Sequence, residues 1–276
     1  KPIADKNNLS LLPEIHAEYG SYLHDEVANK GFQIYDFFLP GLMIHTIEKR
    51  NSNALITWAK EIINKGYKTV NMLGCHDGIP VLDLKGKLID NNYNKGLLED
   101  DEIEYIMNVV LERGGMVKNL YNAEGKKISY YQVNATFYSA LGEDDRKLLL
   151  ARAIQIFMPG IPQIWYLDLF AGKNDYNAAN KPGSGGHKEI NRTTLTMKDV
   201  EEGLKKDIVR NQIELIRIRN TSQAFNGTVT IYKTPKHEID IKWTNNNSVA
   251  HLKANLETLA FMVSHSNDGI SKTLCF

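Results

Sequence analysis

Leu9-Ser10-Leu11-Leu12-Pro13-Glu14-Ile15 is a compact apolar run with a carboxylate near its end. Similar runs occupy residues 31–39, 68–73 and 161–167, and the run at 68–73 leads into a second acidic motif, Gly74-Cys75-His76-Asp77-Gly78-Ile79. Longer segments with helical spacing lie between them. Residues 42–65 carry Leu42, Ile44, Ile47, Leu55, Trp58, Ile62 and Ile63 near that spacing, and residues 100–113 and 144–157 repeat it. Short apolar strands alternating with longer amphipathic helices argue for parallel β/α units, with residues 9–15 as the first strand present.

In a barrel of parallel strands the chemistry sits at the carboxyl ends of the strands, so Glu14, His76 and Asp77 are expected on one rim. Two carboxylates there suit glycosyl transfer, one protonating the leaving oxygen and the other stabilising oxocarbenium-like charge. Either motif alone usually reads as a turn or a surface ion pair, since charged residues are mostly solvated, and it is their joint placement at strand ends that favours the catalytic reading. His16 and Glu18 fit a solvent-facing loop just as well, and the charges of 42–65 and 199–206 read as solvated helix faces.

After about residue 220 the texture changes to alternating Thr, Val, Ile and Asn, in 227–233, 239–243 and 258–264, with turn residues at 244–248 and 266–269. That pattern predicts a small antiparallel sheet. Residues 171–194 form a Gly-, Asn- and Lys-rich loop after the last apolar run, and long loops in compact domains tend to be functional.

With 276 residues and 33 basic side chains balancing 33 acidic ones, the chain is sized for one large or two smaller domains and has no net field to attract nucleic acid or an anionic membrane. No apolar run approaches the roughly 20 residues needed to span a bilayer. Cys75 and Cys275 stand far apart in no metal-ligand spacing, so neither a disulfide framework nor a zinc site is expected, and a reducing, cytoplasmic setting fits. Asp100 and Asp101 open a helix, where carboxylates meet unpaired amides, and no Asp- and Asn-rich calcium loop is present. Residues 1–8 are polar and resemble the tail of a helix entering a strand, which predicts further chain upstream.

Six motifs then occur together in one order: Leu12-Pro13-Glu14-Ile15-His16, Ile34-Tyr35-Asp36-Phe37-Phe38-Leu39-Pro40, His76-Asp77-Gly78-Ile79, Tyr131-Gln132-Val133-Asn134-Ala135-Thr136-Phe137-Tyr138-Ser139-Ala140-Leu141-Gly142, Pro159-Gly160-Ile161-Pro162-Gln163-Ile164-Trp165-Tyr166 and Ile190-Asn191-Arg192. In these the chain resembles the sucrose phosphorylases and their close relatives in the α-amylase superfamily. The resemblance implies the second half of a (β/α)8 TIM barrel over residues 1–220, strands five to eight, followed by an antiparallel β-domain over 221–276. It implies double displacement with retention, Glu14 as general acid/base, Asp77 as the stabilising carboxylate and His76 as a donor to the glucosyl ring. Tyr131 and Gln132 fall where the family contacts substrate. The family's nucleophile, an aspartate on the preceding strand, has no counterpart here, so the chain alone is expected to be inactive.

Two departures bear on the acceptor. The string Gly185-Gly186-His187-Lys188-Glu189-Ile190-Asn191-Arg192 has lysine where the family usually has an arginine that reaches the glucosyl site, and Ser129 replaces a frequent aspartate two residues before Tyr131. Removing that negative charge while keeping His187 and Lys188 favours an anionic acceptor, as in relatives acting on glucosylglycerate or a phosphorylated sucrose. The activity expected is an α-glucoside phosphorylase working on a small glucoside and inorganic phosphate, with no cofactor and no metal. A hydrolase or transglucosidase on the same scaffold and a catalytically dead scaffold are the alternatives. The missing half-barrel is the partner the reading requires, and a homodimer stays open beside a monomer.

Overall fold

The computed structural model describes residues 2–121, 127–181, 186–267 and 270–276. Three of the four expected strands form a parallel sheet, in the order Ile34–Asp36, Thr69–Asn71, Ile161–Pro162. They are shorter than the apolar runs that predicted them. The run 31–39 ends early because Phe38 caps a helix, Leu39–Lys49, in which Pro40 sits in the first turn, where its missing N–H has no partner to lose.

The fourth expected strand is a correction. Residues 9–18 are irregular, and Leu9 and Leu11 are 61% and 40% exposed. A strand is stabilised by a hydrogen-bonded neighbour, and among the described residues none forms a ladder with 9–15. Pro13 also brings no N–H to one. A second correction concerns residues 42–65, which form two helices, Leu39–Lys49 and Asn53–Lys65, rather than one. Arg50 turns left-handed at φ +51° and ends the first.

The expected helix at 100–113 runs Asp100–Glu112, with Glu99 and Glu102 making a reciprocal cap. Asp145–Phe157 begins where the Asp144 side chain accepts from the Arg146 and Lys147 amides. Its amphipathic reading is incomplete. Every residue from Leu148 to Phe157 is buried, Arg152 and Gln155 included, because helix Asp207–Thr221 and the C-terminal sheet cover the face turned away from the parallel strands.

Three further strands, Ile79–Pro80, Met116–Tyr121 and Lys127–Asn134, pair antiparallel with the last in the middle, and Lys87–Ile89 pairs with Asn92–Asn94 as a hairpin. Sequence periodicity gave no sign of either. The C-terminal sheet is antiparallel as expected, five strands in sequential order from Thr228–Ile231 to Ile270–Cys275. Ile239, Ile241 and Trp243 alternate inward on Glu238–Asn245, and the Trp243 indole donates to the Phe157 carbonyl at 2.8 Å, so one core runs through both sheets. No helix among the described residues is long and apolar enough to cross a membrane.

At the end of the first parallel strand Asp36 is fully buried. The Trp58 indole donates to both its carboxyl oxygens at 3.0 Å, and the Leu39 amide donates to Oδ1 at 3.0 Å, opening the helix that follows. Burial nonetheless outweighs these donors and pushes the carboxyl from its ordinary 3.8 up to about 6. A folded-state value above the unfolded one means stability that is full below pH 3.8 and is lost as pH rises through about 6. On that scale the loss is on the order of 3 kcal/mol. Asp36→Asn therefore gains on the native chain as pH rises from 4.5 to 7.5, read as the difference between their urea midpoints; a difference that stays constant with pH contradicts the assignment.

Candidate active site

The segment 74–78 follows the middle parallel strand and turns back toward Ile79–Pro80. Gly78 takes φ +105°, and a side chain there would sit 2.7 Å from the Val133 carbonyl, so the position needs glycine on both counts. The Cys75 thiol lies inside the turn, reaching the Gly78 carbonyl at 3.5 Å and the Asp77 amide at 3.4 Å.

Three successive carbonyls of this turn receive donors from elsewhere in the chain. Asn191 Nδ2 donates to Cys75 O at 2.7 Å, Arg192 Nε to His76 O at 2.8 Å, and Gln132 Nε2 and Asn134 Nδ2 to Asp77 O at 2.6 and 2.7 Å. Gln132 and Asn134 both point to this turn from strand Lys127–Asn134, two residues apart and hence on one face. Asn191 and Arg192 come from the end of the 3-10 turn Gly186–Asn191 and the residue after it.

The Asp77 side chain projects from that clasped backbone. Its Oδ1 meets Lys188 Nζ at 2.7 Å and Arg192 Nη2 at 3.2 Å, and its Oδ2 lies 3.3 Å from His76 Nε2. Arg192 also holds Glu189 at 3.3 Å, which balances part of the added charge. Partial burial works to raise the Asp77 pKa, but the Lys188 hydrogen bond and the His76, Lys188 and Arg192 charges prevail and hold it below the ordinary carboxylate range. His76 is mostly exposed, its ring 6.1 Å from that of Trp165.

Glu14 is exposed, with His16 Nε2 3.9 Å from its Oε1. His16 stacks on Phe37 at 3.9 Å, and its Nδ1 is 3.3 Å from both oxygens of Asp83, a buried carboxylate. Burial works to lower the His16 pKa, yet the Asp83 contact and the charges of Asp83, Glu14 and Asp77 outweigh it and raise it. Asp83 is itself pushed up by burial, against the pull of His16. His16 thus lies in the field of both Glu14 and Asp77, which links the two acidic motifs.

The structure gathers Asp77, His76 and Lys188 at one point; His187 precedes Lys188 on the turn Gly186–Asn191. Gln132 is buried, and its amide is committed to the Asp77 carbonyl. The side chains of Ser129, Tyr130 and Tyr131 and the placement of Gly183 and Gly185 lie outside the described residues. Four participants had no assigned role in the sequence reading: Asp83, Asn134, Asn191 and Arg192. The last three stood inside quoted motifs, while Asp83 is an isolated carboxylate that no pattern marks.

No family model matches the chain. A sucrose 6(F)-phosphate phosphorylase of Ilumatobacter coccineus is 53% identical over 99% of this chain and 52% of its own length, and one of Thermoanaerobacterium thermosaccharolyticum is 34% identical over 94% and 51%. The chain belongs with the sucrose-phosphorylase-type enzymes. The crystal structure of sucrose 6F-phosphate phosphorylase from Thermoanaerobacter thermosaccharolyticum matches with a TM-score of 0.86 at 32% identity, covering 100% of this chain and 54% of that one. An α-amylase of H. orenii matches at 0.57 with 14% identity, a likeness of fold alone, mixed α/β with a C-terminal antiparallel sheet. The chain spans about half the length of the curated relatives it matches.

Because Lys188 is the first of the groups holding Asp77 down, Lys188→Met raises the Asp77 pKa toward the ordinary range, and adding Arg192→Met raises it further. Carbon-13 NMR of the aspartate carboxyls across pH reads this directly. An Asp77 midpoint unmoved by both substitutions contradicts the geometry.

Proposed function

We propose that this chain carries the general acid/base and the stabilising carboxylate of a retaining α-glucoside phosphorylase whose acceptor is of the phosphorylated-sucrose type. In this reading residues 1–220 are the second half of a (β/α)8 barrel and 221–276 an appended β-domain, the protein being cytoplasmic. Glu14 protonates the glycosidic oxygen as the acceptor leaves, while a carboxylate nucleophile takes the glucosyl carbon. Inorganic phosphate then displaces that carboxylate, Glu14 accepts the proton, and α-glucose 1-phosphate departs. Asp77, ionised beside Lys188 and Arg192, faces the positive charge that develops on the sugar, and His76 reaches the ring hydroxyls.

The observation that carries the reading is the fixed Asp77 carboxylate, held by two cations 2.7 and 3.2 Å away, with His16 in the field of both Asp77 and Glu14. The relatives' names supply the substrate class, since those matching at 53% and 34% are sucrose 6(F)-phosphate phosphorylases. Retention requires a nucleophile about 5 to 5.5 Å from Glu14, and the resemblance places that residue on the strand before residues 9–15. The reading therefore needs a preceding half-barrel. Co-expressing this chain with the first half of the Ilumatobacter relative should yield phosphate-dependent release of glucose 1-phosphate from sucrose 6-phosphate, lost with Glu14→Gln. Glucose released at the same rate without phosphate would support a hydrolase instead.

Lys188 separates two acceptor readings. If it serves an anionic acceptor, Lys188→Ala in the assembled enzyme weakens use of the phosphorylated acceptor roughly ten- to a hundredfold and spares neutral ones, on the scale of a charged hydrogen bond. Its contact with Asp77 favours a second reading, in which Lys188 serves the glucosyl side as the family's arginine does. Equal loss on both acceptors would decide for that one.

A further inference from the structure

Helix Leu23–Asn29 meets helix Asn53–Lys65 through a group that plays no part in the proposed chemistry. His24 is 93% buried by ring contacts that fix its plane: it stacks on Tyr19 with centroids 5.0 Å apart and stands edge-on to Phe38 and Trp58 at 5.2 and 5.8 Å. Its Nε2 points at two carboxylates, Glu61 Oε1 at 3.7 Å and Asp25 Oδ2 at 3.9 Å, both too long for hydrogen bonds, and the buried nitrogen has no hydrogen-bond partner. The three ligand atoms lie within 4.8 Å of one another.

We propose that His24, Asp25 and Glu61 form a binding site for a divalent transition-metal ion of the zinc class. One imidazole and two carboxylates are a donor set that such ions accept, with a fourth position left for water. Ligands at about 2.0 to 2.2 Å from a tetrahedral ion stand roughly 3.3 to 3.6 Å apart, so the two histidine–carboxylate separations, 3.7 and 3.9 Å, close on an ion by a few tenths of an ångström. The nitrogen that lacks a partner gains one, and a buried polar atom is satisfied.

The surroundings fit the role. Tyr19 Oη donates to Glu61 Oε2 at 2.5 Å, leaving Oε1 directed at His24. A carboxylate oriented by an outer donor is the usual support of a metal ligand. Lys65 Nζ meets Asp25 at 2.8 Å and Glu61 at 2.9 Å, so its ammonium neutralises the same carboxylates in the apo chain and competes with the ion. Lys65 is 42% exposed and has solvent to swing into. Binding would join the two helices across the 3-10 turn Tyr19–Ser21.

Calorimetric titration of zinc chloride into the chain in chelator-free buffer at pH 7.5, with magnesium chloride as the comparison, tests this. One equivalent of zinc binds and magnesium does not. Lys65→Met, which removes an exposed competitor, tightens binding about tenfold, while Tyr19→Phe weakens it about ten- to a hundredfold. His24→Gln and Glu61→Gln abolish that equivalent, with far-ultraviolet circular dichroism checking that each stays folded, and cobalt substituted for zinc gives visible bands that disappear in the same two variants. An equivalent that persists in folded His24→Gln and Glu61→Gln overturns the proposal. So does absence of binding in the native chain, even where Lys65→Met binds.

Discussion

Three consecutive backbone carbonyls, those of Cys75, His76 and Asp77, must find donors after the chain has left the ladder of strand Thr69–Asn71, and the geometry of the site follows from how they do. The bond to the Cys75 carbonyl is buried, and a carbonyl left there without a partner would cost about 1 to 3 kcal/mol. Four side-chain N–H groups meet that demand here, two from strand Lys127–Asn134 and two from residues 191 and 192. This gives a physical reason for motifs that otherwise look like family lettering. Gln132 and Asn134 alternate with apolar Val133 so that both amides reach one carbonyl while Val133 enters the core. Asn191 and Arg192 are the two hands of the loop on the other side.

The charges on Asp77 are secondary to that clasp. Partly exposed ion pairs such as Lys188–Asp77 contribute little to stability, because solvent screens them and long side chains lose freedom in making them. Their effect is on orientation and on the carboxylate's ionisation. Arg192 joins both layers, since its Nε holds the His76 carbonyl while its Nη2 meets the Asp77 carboxylate. One planar guanidinium thus ties backbone position to side-chain charge, which a lysine could not do. In the proposed reaction, a carboxylate held in place before the sugar arrives would need no reorganisation as positive charge develops, and such preorganisation is the usual source of electrostatic catalysis.

How much of this was legible depended on whether an element is dictated by its own residues. Thr69–Asn71, Asp100–Glu112 and the alternating C-terminal strands follow from local apolar pattern and caps, and they appear where that pattern put them. Residues 9–15 have the composition of a strand but no ladder partner among the described residues, and strands are made by partners. The break at Arg50 rests on a single left-handed residue inside an otherwise continuous helical period. In the antiparallel trio, Ile79–Pro80 is too short for a period to register, and Ile79 pairs with Val133 of Lys127–Asn134, 54 residues later. Glu14, His76 and Asp77 stand out in the sequence because they end or follow apolar runs. Asp83 does not, because its importance lies in a contact with His16, 67 residues away.

The turn is also anchored from beneath, by buried polar groups to which sequence reading gives no role. A side chain on Gly74 would lie 2.8 Å from Asp168 Oδ2, and Asp168 Oδ1 accepts the Phe137 amide at 3.3 Å, next to the strand that supplies Gln132 and Asn134. Burial pushes Asp168 up to about 6 although the Arg152 charge pulls the other way, and burial lowers Arg152 to about 10. Arg152 reaches Gln155 and Gln212, Gln155 Nε2 donates to Asn71 and Gln163 carbonyls at 3.3 and 3.0 Å, and Gln212 Nε2 to the Leu169 carbonyl at 2.9 Å. Replacing one member alone would leave the others buried and unsatisfied, which is why such a network fixes one arrangement rather than several. Helices Asp145–Phe157 and Asp207–Thr221 therefore do more than cover the sheet. Through this network they set the height at which strand Thr69–Asn71 ends, and so where Asp77 begins.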